Sequence, residues 1–199
     1  MLSNTLTSDQ ELLRSFSQGN NDAIAVILNR YQKKMFTSIV LLVKDRAIAE
    51  DIFQDTFIKI IDQIKSGHYN EEGKFLPWAS RIARNLCIDH FRRQNKMNTQ
   101  SQTPDGKDIF LTIDLLEENA EDQLIRRQSH ENLRTLIQKL PFEQKEVLIM
   151  RHYNDMSFKE IAQTTNVSIN TALGRMRYAL QNLRRMMEHQ TDEMPNTMS

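Results

Sequence analysis

The chain has 199 residues, 39% hydrophobic and 26% charged, which is the balance of a folded globular protein rather than a disordered one. Its 26 Lys and Arg offset its 26 Asp and Glu, and zero net charge argues against a protein that coats nucleic acid non-specifically. The longest apolar stretch, Ile39 to Val43, is far too short to cross a bilayer. Asp9, Glu11 and Arg14 interrupt the N-terminal segment, so no signal peptide and no membrane insertion are expected, and the expected compartment is the cytoplasm. The single cysteine, Cys87, excludes an internal disulfide framework.

Glycine and proline are scarce while Leu, Ile, Arg, Gln and Glu are plentiful, which favours an all-α fold. A short helix is expected around Leu12 to Phe16. Ile24, Leu28, Tyr31, Met35, Ile39 and Leu42 then recur at three- and four-residue steps, as on an amphipathic helix. Ile48, Ile52, Phe53, Phe57, Ile60, Ile61 and Ile64 repeat the pattern, and the polar run Lys65 to Gly73 closes it as a loop. A third strong helix carries Phe75, Trp78, Ile82, Leu86 and Phe91 on its inner face. These elements predict a compact helical domain over 9–96.

Asn98 to Gly106 has almost no apolar content, and Asp105, Asp108, Asp114, Glu117, Glu118, Glu121 and Asp122 follow, so 97–122 reads as a flexible acidic linker. A second helical domain is expected over 123–188, its first helix built on Leu124, Leu133, Leu136, Ile137 and Leu140 and stopped by Pro141. The expected architecture is therefore all-α, with two small helical domains joined by an acidic linker.

The second domain carries a helix-turn-helix pattern. Ser157 and Glu160 fit a capping box at the start of a short helix. Asn166 stands where the turn needs a left-handed residue, and Ser168 can cap the next helix. On that longer helix Ala172, Met176, Ala179, Leu180 and Leu183 form the expected buried stripe. The opposite stripe of Asn170, Gly174, Arg177, Tyr178 and Gln181 can reach base edges in a major groove, with Arg177 the natural guanine reader. Thr171 and Arg175 flank it at the N-terminal turns, where phosphate contact is favourable. Gly174 costs about 1 kcal/mol against alanine in a helix interior, and its missing side chain allows close approach to DNA. A plain amphipathic surface helix with a tolerated glycine is the bland alternative.

Two faces of the first domain have opposite charge. Glu50, Asp51, Gln54 and Asp55, with Asp62 beyond and Ile58 among them, suit docking onto a basic protein surface. Arg81, Arg84, Asn85, Arg92 and Arg93, with Phe75 and Trp78 at the start of their helix, suit unpaired bases, which offer a face for stacking. Core packing of Trp78 and an intrahelical pair of Asp89 with Arg92 or Arg93 are the plainer readings of those residues.

These segments resemble the extracytoplasmic-function sigma factors of bacterial RNA polymerase. Ala49-Glu-Asp-Ile-Phe-Gln-Asp-Thr-Phe57 is similar to the family segment that grips the clamp helices of the polymerase β′ subunit. Lys74-Phe-Leu-Pro-Trp78 through Ile82-Ala-Arg-Asn-Leu-Cys-Ile-Asp-His-Phe-Arg-Arg93 resembles the segment that recognises the −10 promoter element. Leu140-Pro-Phe-Glu-Gln-Lys-Glu-Val-Leu148 and Phe158-Lys-Glu-Ile-Ala162 resemble the −35-binding domain. The resemblance implies Glu50, Asp51, Gln54, Asp55 and Ile58 at polymerase, and Lys74, Phe75, Trp78, Arg81, Arg84, Asn85, Asp89, Arg92 and Arg93 at the −10 element. At the −35 element it implies Asn170, Thr171, Leu173, Gly174, Arg175, Arg177, Tyr178 and Gln181. Core polymerase, promoter DNA and an anti-sigma factor are the partners it allows. One departure stands out: the family usually has Thr-Val-(Lys/Arg)-Ser-Arg at the start of the reading helix, where this chain has Thr171-Ala-Leu-Gly-Arg175, so Leu173 replaces a cation.

A stand-alone helix-turn-helix regulator is the first rival, and the opposed acidic and basic faces of the first domain argue against it. A helical adaptor without DNA contact is another. An enzyme is disfavoured, because His68, His90, His130, His152 and His189 are scattered and no glycine-rich phosphate loop or paired nucleophile and base is present. Cys87 and His90 lie one turn apart, but two ligands make a poor metal site, and Cys87 is expected in the core. No catalytic residue, metal or cofactor is expected.

Overall fold

The computed structural model describes residues 8–69, 74–98 and 131–192, with the backbone alone at 97, 98 and 190–192. Among the described residues all regular structure is helical: α1 (Asp9–Ser17), α2 (Asn21–Val43), α3 (Arg46–Lys65), α4 (Phe75–Asn98), α5 (131–139), α6 (Phe142–His152), α7 (Phe158–Thr165) and α8 (Ile169–Asp192). The expected acidic linker and the first residues of the second domain lie outside the described residues, apart from Met97 and Asn98, which continue α4.

The helix boundaries follow local chemistry. Ser8 starts α1 with a reciprocal capping box: its hydroxyl accepts from the Glu11 backbone at 3.3 Å, and the Glu11 carboxylate accepts from the Ser8 backbone N–H at 2.9 Å. Asn20 caps α2. Lys44 ends α2 in the left-handed region (φ 61°), and Asp45 immediately caps α3 by accepting from the Ile48 N–H at 3.0 Å. The chain reverses there in two residues, which lays α3 against α2.

α1 to α4 enclose one core around Leu13, Ile27, Met35, Ile60 and Phe75. The second half of α2 behaves differently. Every residue from Thr37 to Val43 is buried, and a helix apolar on all sides needs cover on all sides. α3 and α4 cover one flank, and the second module covers the other. Leu136, Ile137, Leu140, Leu148 and Ile149 pack in the same cluster as Ile39 to Val43, Ala83, Leu86 and Cys87. Full burial of a Leu or Ile is worth about 1.5–3 kcal/mol each, so this shared cluster is what holds the modules together. Phe91 meets Phe142 edge-on across it, with centroids 5.8 Å apart.

A third, smaller core of Val147, Met150, Met156, Ile161, Ala162 and Ala172 fixes α7 and α8 on α6. One expectation for α8 is corrected. Ala172, Ala179 and Leu183 are buried and Met176 is partly so, but Leu180 is 53% exposed. It lies about 100° around the helix from Ala179, which turns it past the edge of the stripe.

Candidate nucleic-acid interface

α7 and α8 form a helix-turn-helix whose geometry follows from three residues. The Ser157 hydroxyl accepts from the Glu160 N–H at 3.3 Å while the Glu160 carboxylate accepts from the Ser157 N–H at 2.7 Å. Burial alone raises the Glu160 carboxyl, but the hydrogen bonds from Ser157 and the charges of Lys74 and Arg81 hold it below its ordinary value. Asn166 ends α7 at φ 55°, and the next N–H, of Val167, donates to the Ala162 carbonyl at 3.0 Å. Ser168 accepts from the Thr171 N–H at 3.0 Å and so caps α8.

This turn aims the first half of α8 outward. Asn170, Thr171, Leu173, Arg177, Tyr178 and Gln181 are exposed, and Gly174 and Arg175 are half-buried. An added Cβ at Gly174 meets nothing within 4 Å, so its surface is open to an approaching partner. The Arg177 guanidinium lies 5.8 Å from the centroid of the Tyr178 ring. The stripe predicted to read bases is thus brought together on one surface.

The α4 face is less uniform. Lys74, Asn85, Arg92 and Arg93 are exposed, and Asp89 is half-buried. Asp89 faces Arg92 at 3.6 Å, the intrahelical pair that spacing alone allowed. Phe75 is 1% exposed, so its ring belongs to the core and cannot stack on a base, which corrects the expectation drawn from its position. Trp78 is half-buried between Phe75, at 5.9 Å, and Tyr69, at 4.5 Å. Arg81 is half-buried, and its Nε is enclosed with no hydrogen-bond acceptor among the described residues. Arg84 is half-buried and turned towards the second module: its Nε donates to Glu146 on α6 at 2.7 Å, and the Glu146 side chain is 3% exposed.

On α3, Glu50, Asp51, Gln54 and Asp55 are exposed and Ile58 is 58% exposed. Glu50 pairs with Arg46 one turn earlier at 2.9 Å. Acids and one bare isoleucine therefore share a surface, as expected.

The residues that join the modules were not foreseen. Besides Arg84 and Glu146, Ser38 meets Asn154 at 2.7 Å and Lys34 meets Asp155 at 2.7 Å. Lys145 and Glu146 were the available signal: two charges inside α6 next to the run Val147 to Met150, all of them buried. Burial, with Lys44 nearby, pushes Lys145 down to about 8. Cys87 is fully buried, and burial pushes its thiol up to about 12, as befits a packed core residue. Among the described residues no group of three or more His, Cys, Asp or Glu could hold a metal, and no helix is long and apolar enough to cross a membrane.

Two family models match in chain order: Sigma-70 region 2 over residues 27–97 and Sigma-70, region 4, over residues 130–183. Together they span well over half of the chain. The chain is 26% identical over 175 residues to the RNA polymerase sigma-H factor of Pseudomonas aeruginosa, covering 86% of this chain and 90% of that one. It is 25% identical over 178 residues to the ECF RNA polymerase sigma factor SigW of Bacillus subtilis, covering 88% and 94%. The chain belongs to the extracytoplasmic-function sigma factors. This sigma factor therefore binds core RNA polymerase and directs promoter-specific transcription initiation, and a stand-alone regulator is not favoured. Two solved structures share its fold. One is the sigma factor RpoE with the anti-sigma factor NepR from Bartonella quintana, with TM-score 0.67, 17% identity, and 83% and 96% of the two chains covered. The other is CnrH with the cytosolic domain of CnrY, with TM-score 0.61, 19% identity, and 92% and 99% covered.

Proposed function

We propose that three faces of this sigma factor divide the work of initiation. The observation that carries this reading is their separation on one frame: the acidic face of α3, the basic face of α4 and the exposed stripe of α8. Glu50, Asp51, Gln54 and Asp55 dock on the basic β′ clamp helices of polymerase, and Ile58 adds apolar area that is free in the isolated protein. Lys74, Trp78, Arg81, Asn85, Asp89, Arg92 and Arg93 serve the −10 element, with Phe75 fixing Trp78 from beneath. Asn170, Thr171, Leu173, Gly174, Arg175, Arg177, Tyr178 and Gln181 serve the −35 element. The working units are 9–96, the linker 97–122 and 123–188. The protein's own role is binding in the cytoplasm, and polymerase performs the chemistry.

The arrangement described here is a resting one in this reading. Elements about 25 base pairs apart are separated by roughly 85 Å of duplex, at about 3.4 Å per pair. α4 and α8 instead contribute to one apolar cluster, with Ala83 and Leu86 beside Ala179 and Leu183. The modules must part before both elements are held. The 32 residues between Asn98 and Glu131 extend to about 105 Å at about 3.3 Å each, enough for that span. Arg84 then leaves Glu146 and becomes available to the −10 region. An anti-sigma factor is a further partner, by analogy with the RpoE–NepR complex.

Reconstitution with core RNA polymerase and run-off transcription on genomic promoters tests the reading. Promoter-dependent transcripts are expected only with both proteins present. Tight sequence-specific duplex binding by the isolated chain at physiological salt, without polymerase dependence, would favour a stand-alone regulator.

A further inference from the structure

We propose that Leu173 is a specificity-determining residue that reads the 5-methyl group of a thymine in the −35 element. The inference rests on the reading of α8 as the promoter-reading helix and says what one position of that helix recognises.

Leu173 is 43% exposed in the second turn of α8, where Ser168 caps the helix and the turn at Asn166 points it outward. Asn170 precedes it by three residues and Arg177 follows it by four, so all three share a surface. Both neighbours are exposed polar side chains. Leu173 is thus a partly exposed apolar group set within a polar stripe. Gly174 beside it leaves open space, so nothing holds the helix off an approaching surface.

The flanking charges say what that surface is. Arg175, Arg177, Arg184 and Arg185 lie on α8 itself, and among residues 169–187 there is no acid to offset them. Such a face suits a polyanion. Within a major groove the base edges are donors and acceptors, with one apolar exception, the thymine methyl group. A leucine has no hydrogen bond to offer guanine, adenine or cytosine, and it would strip water from their polar edges without compensation. Against the thymine methyl it buries apolar surface on both partners. Arg177, one turn on, remains the hydrogen-bonding reader, so the two residues divide neighbouring positions of the element between an apolar and a polar contact.

The test uses the full chain assembled with core polymerase. A duplex library randomised across the −35 region yields the preferred element, and each thymine on either strand is then replaced singly by deoxyuracil, which removes the methyl group and leaves the pairing edges intact. One position is expected to lose about fourfold in affinity, the worth of roughly one buried methyl group. Leu173→Ala is expected to lose a similar factor on the thymine duplex and to bind the thymine and deoxyuracil forms equally, while Arg177→Ala keeps the discrimination. A flat deoxyuracil scan, a selected element without thymine, or discrimination that survives in Leu173→Ala overturns the proposal. So does a Leu173→Ala variant whose defect lies in core polymerase binding. If Arg177→Ala loses promoter affinity while the scan is flat, the reading of α8 stands and only this inference falls. If neither Arg177→Ala nor any substitution along the stripe affects promoter binding, the reading of α8 fails and takes the inference with it.

Discussion

Arg84 on α4 and Glu146 on α6 are 62 residues apart in sequence, yet the Arg84 Nε lies 2.7 Å from the Glu146 carboxylate. Their side chains are 19% and 3% exposed, so the pair sits largely out of water. A buried pair is weak evidence for stability, because desolvation offsets much of its attraction, but breaking one is costly. Its importance here is positional. It ties the region 2 module to the region 4 module beside the apolar cluster that both share. It also withholds one arginine from the face proposed for the −10 element.

Reversing the charge of one partner tests this tie. Glu146→Arg places two guanidinium groups together at a site with little water, where a close like-charge contact costs several kcal/mol. The modules are expected to separate, raising the radius of gyration in small-angle scattering while far-ultraviolet circular dichroism keeps its helical signal. Adding Arg84→Glu restores opposite charges and is expected to restore the compact form. A compact Glu146→Arg single variant would show that the apolar cluster alone fixes the arrangement.

The acidic face of α3 offers a separate test. Asp55 is exposed, so Asp55→Lys is expected to leave thermal stability within about 0.5 kcal/mol of the original. Against the basic clamp surface proposed as its partner it sets like charges opposite one another, and holoenzyme assembly with core polymerase is expected to fail in a pull-down. Ile58→Ala is expected to weaken the same assembly without affecting the fold, since Ile58 is 58% exposed. Normal assembly by Asp55→Lys would remove this face from the polymerase contact.

What the sequence disclosed, and what it hid, divides by range. The capping box at Ser157 and Glu160, the left-handed Asn166 and the cap at Ser168 were legible because each depends on residues within four positions of one another. Periodicity located the long helices for the same reason. The pairing of Arg84 with Glu146, or of Ser38 with Asn154, depends on how two modules dock, and no local spacing encodes it. Leu180 was misplaced because a stripe drawn at three- and four-residue steps tolerates a neighbour one position off its centre. In the sequence the run Ile39 to Val43 reads as too short for a membrane, and only Ile39 and Leu42 fall on the periodic stripe of an amphipathic helix. Buried on every side, it marks where the second module lands on α2.

Lys145 predicts a pH dependence. It is 3% exposed, and burial, helped by Lys44, lowers it from an ordinary 10.5 to about 8. The folded state therefore disfavours the charged form, and the unfolded chain binds more protons between those values. The penalty is fully present below about pH 8 and is relieved as pH rises from there towards 10.5. Lys145→Met keeps most of the volume and removes the charge. It is expected to stabilise the protein by up to about 3 kcal/mol at pH 7, with the advantage shrinking across that window. Urea denaturation of both proteins at pH 7, 9 and 10.5 measures the difference. An advantage that does not change with pH would assign the effect to packing rather than to charge.

Arg177 and Arg175 should fail in different ways. Arg177 is exposed on the outward stripe, its guanidinium 5.8 Å from the Tyr178 ring centroid, which favours one direction for an otherwise free side chain. A bidentate contact to guanine is worth roughly 1–3 kcal/mol of discrimination. Arg177→Ala is accordingly expected to lose that much at the −35 element and to relax preference at one base pair, with core polymerase binding unchanged. Arg175 is half-buried near the start of α8, and the role proposed for it is contact with phosphate, which carries no sequence information. Arg175→Ala is expected to weaken binding evenly across −35 variants and to reduce the slope of log affinity against log salt by about one. Holoenzyme titrations on a panel of −35 duplexes at several salt concentrations separate the two. If Arg177→Ala weakens every duplex equally and flattens the salt slope, it is a phosphate contact, and base reading must be sought in Asn170, Gln181 and Leu173 instead.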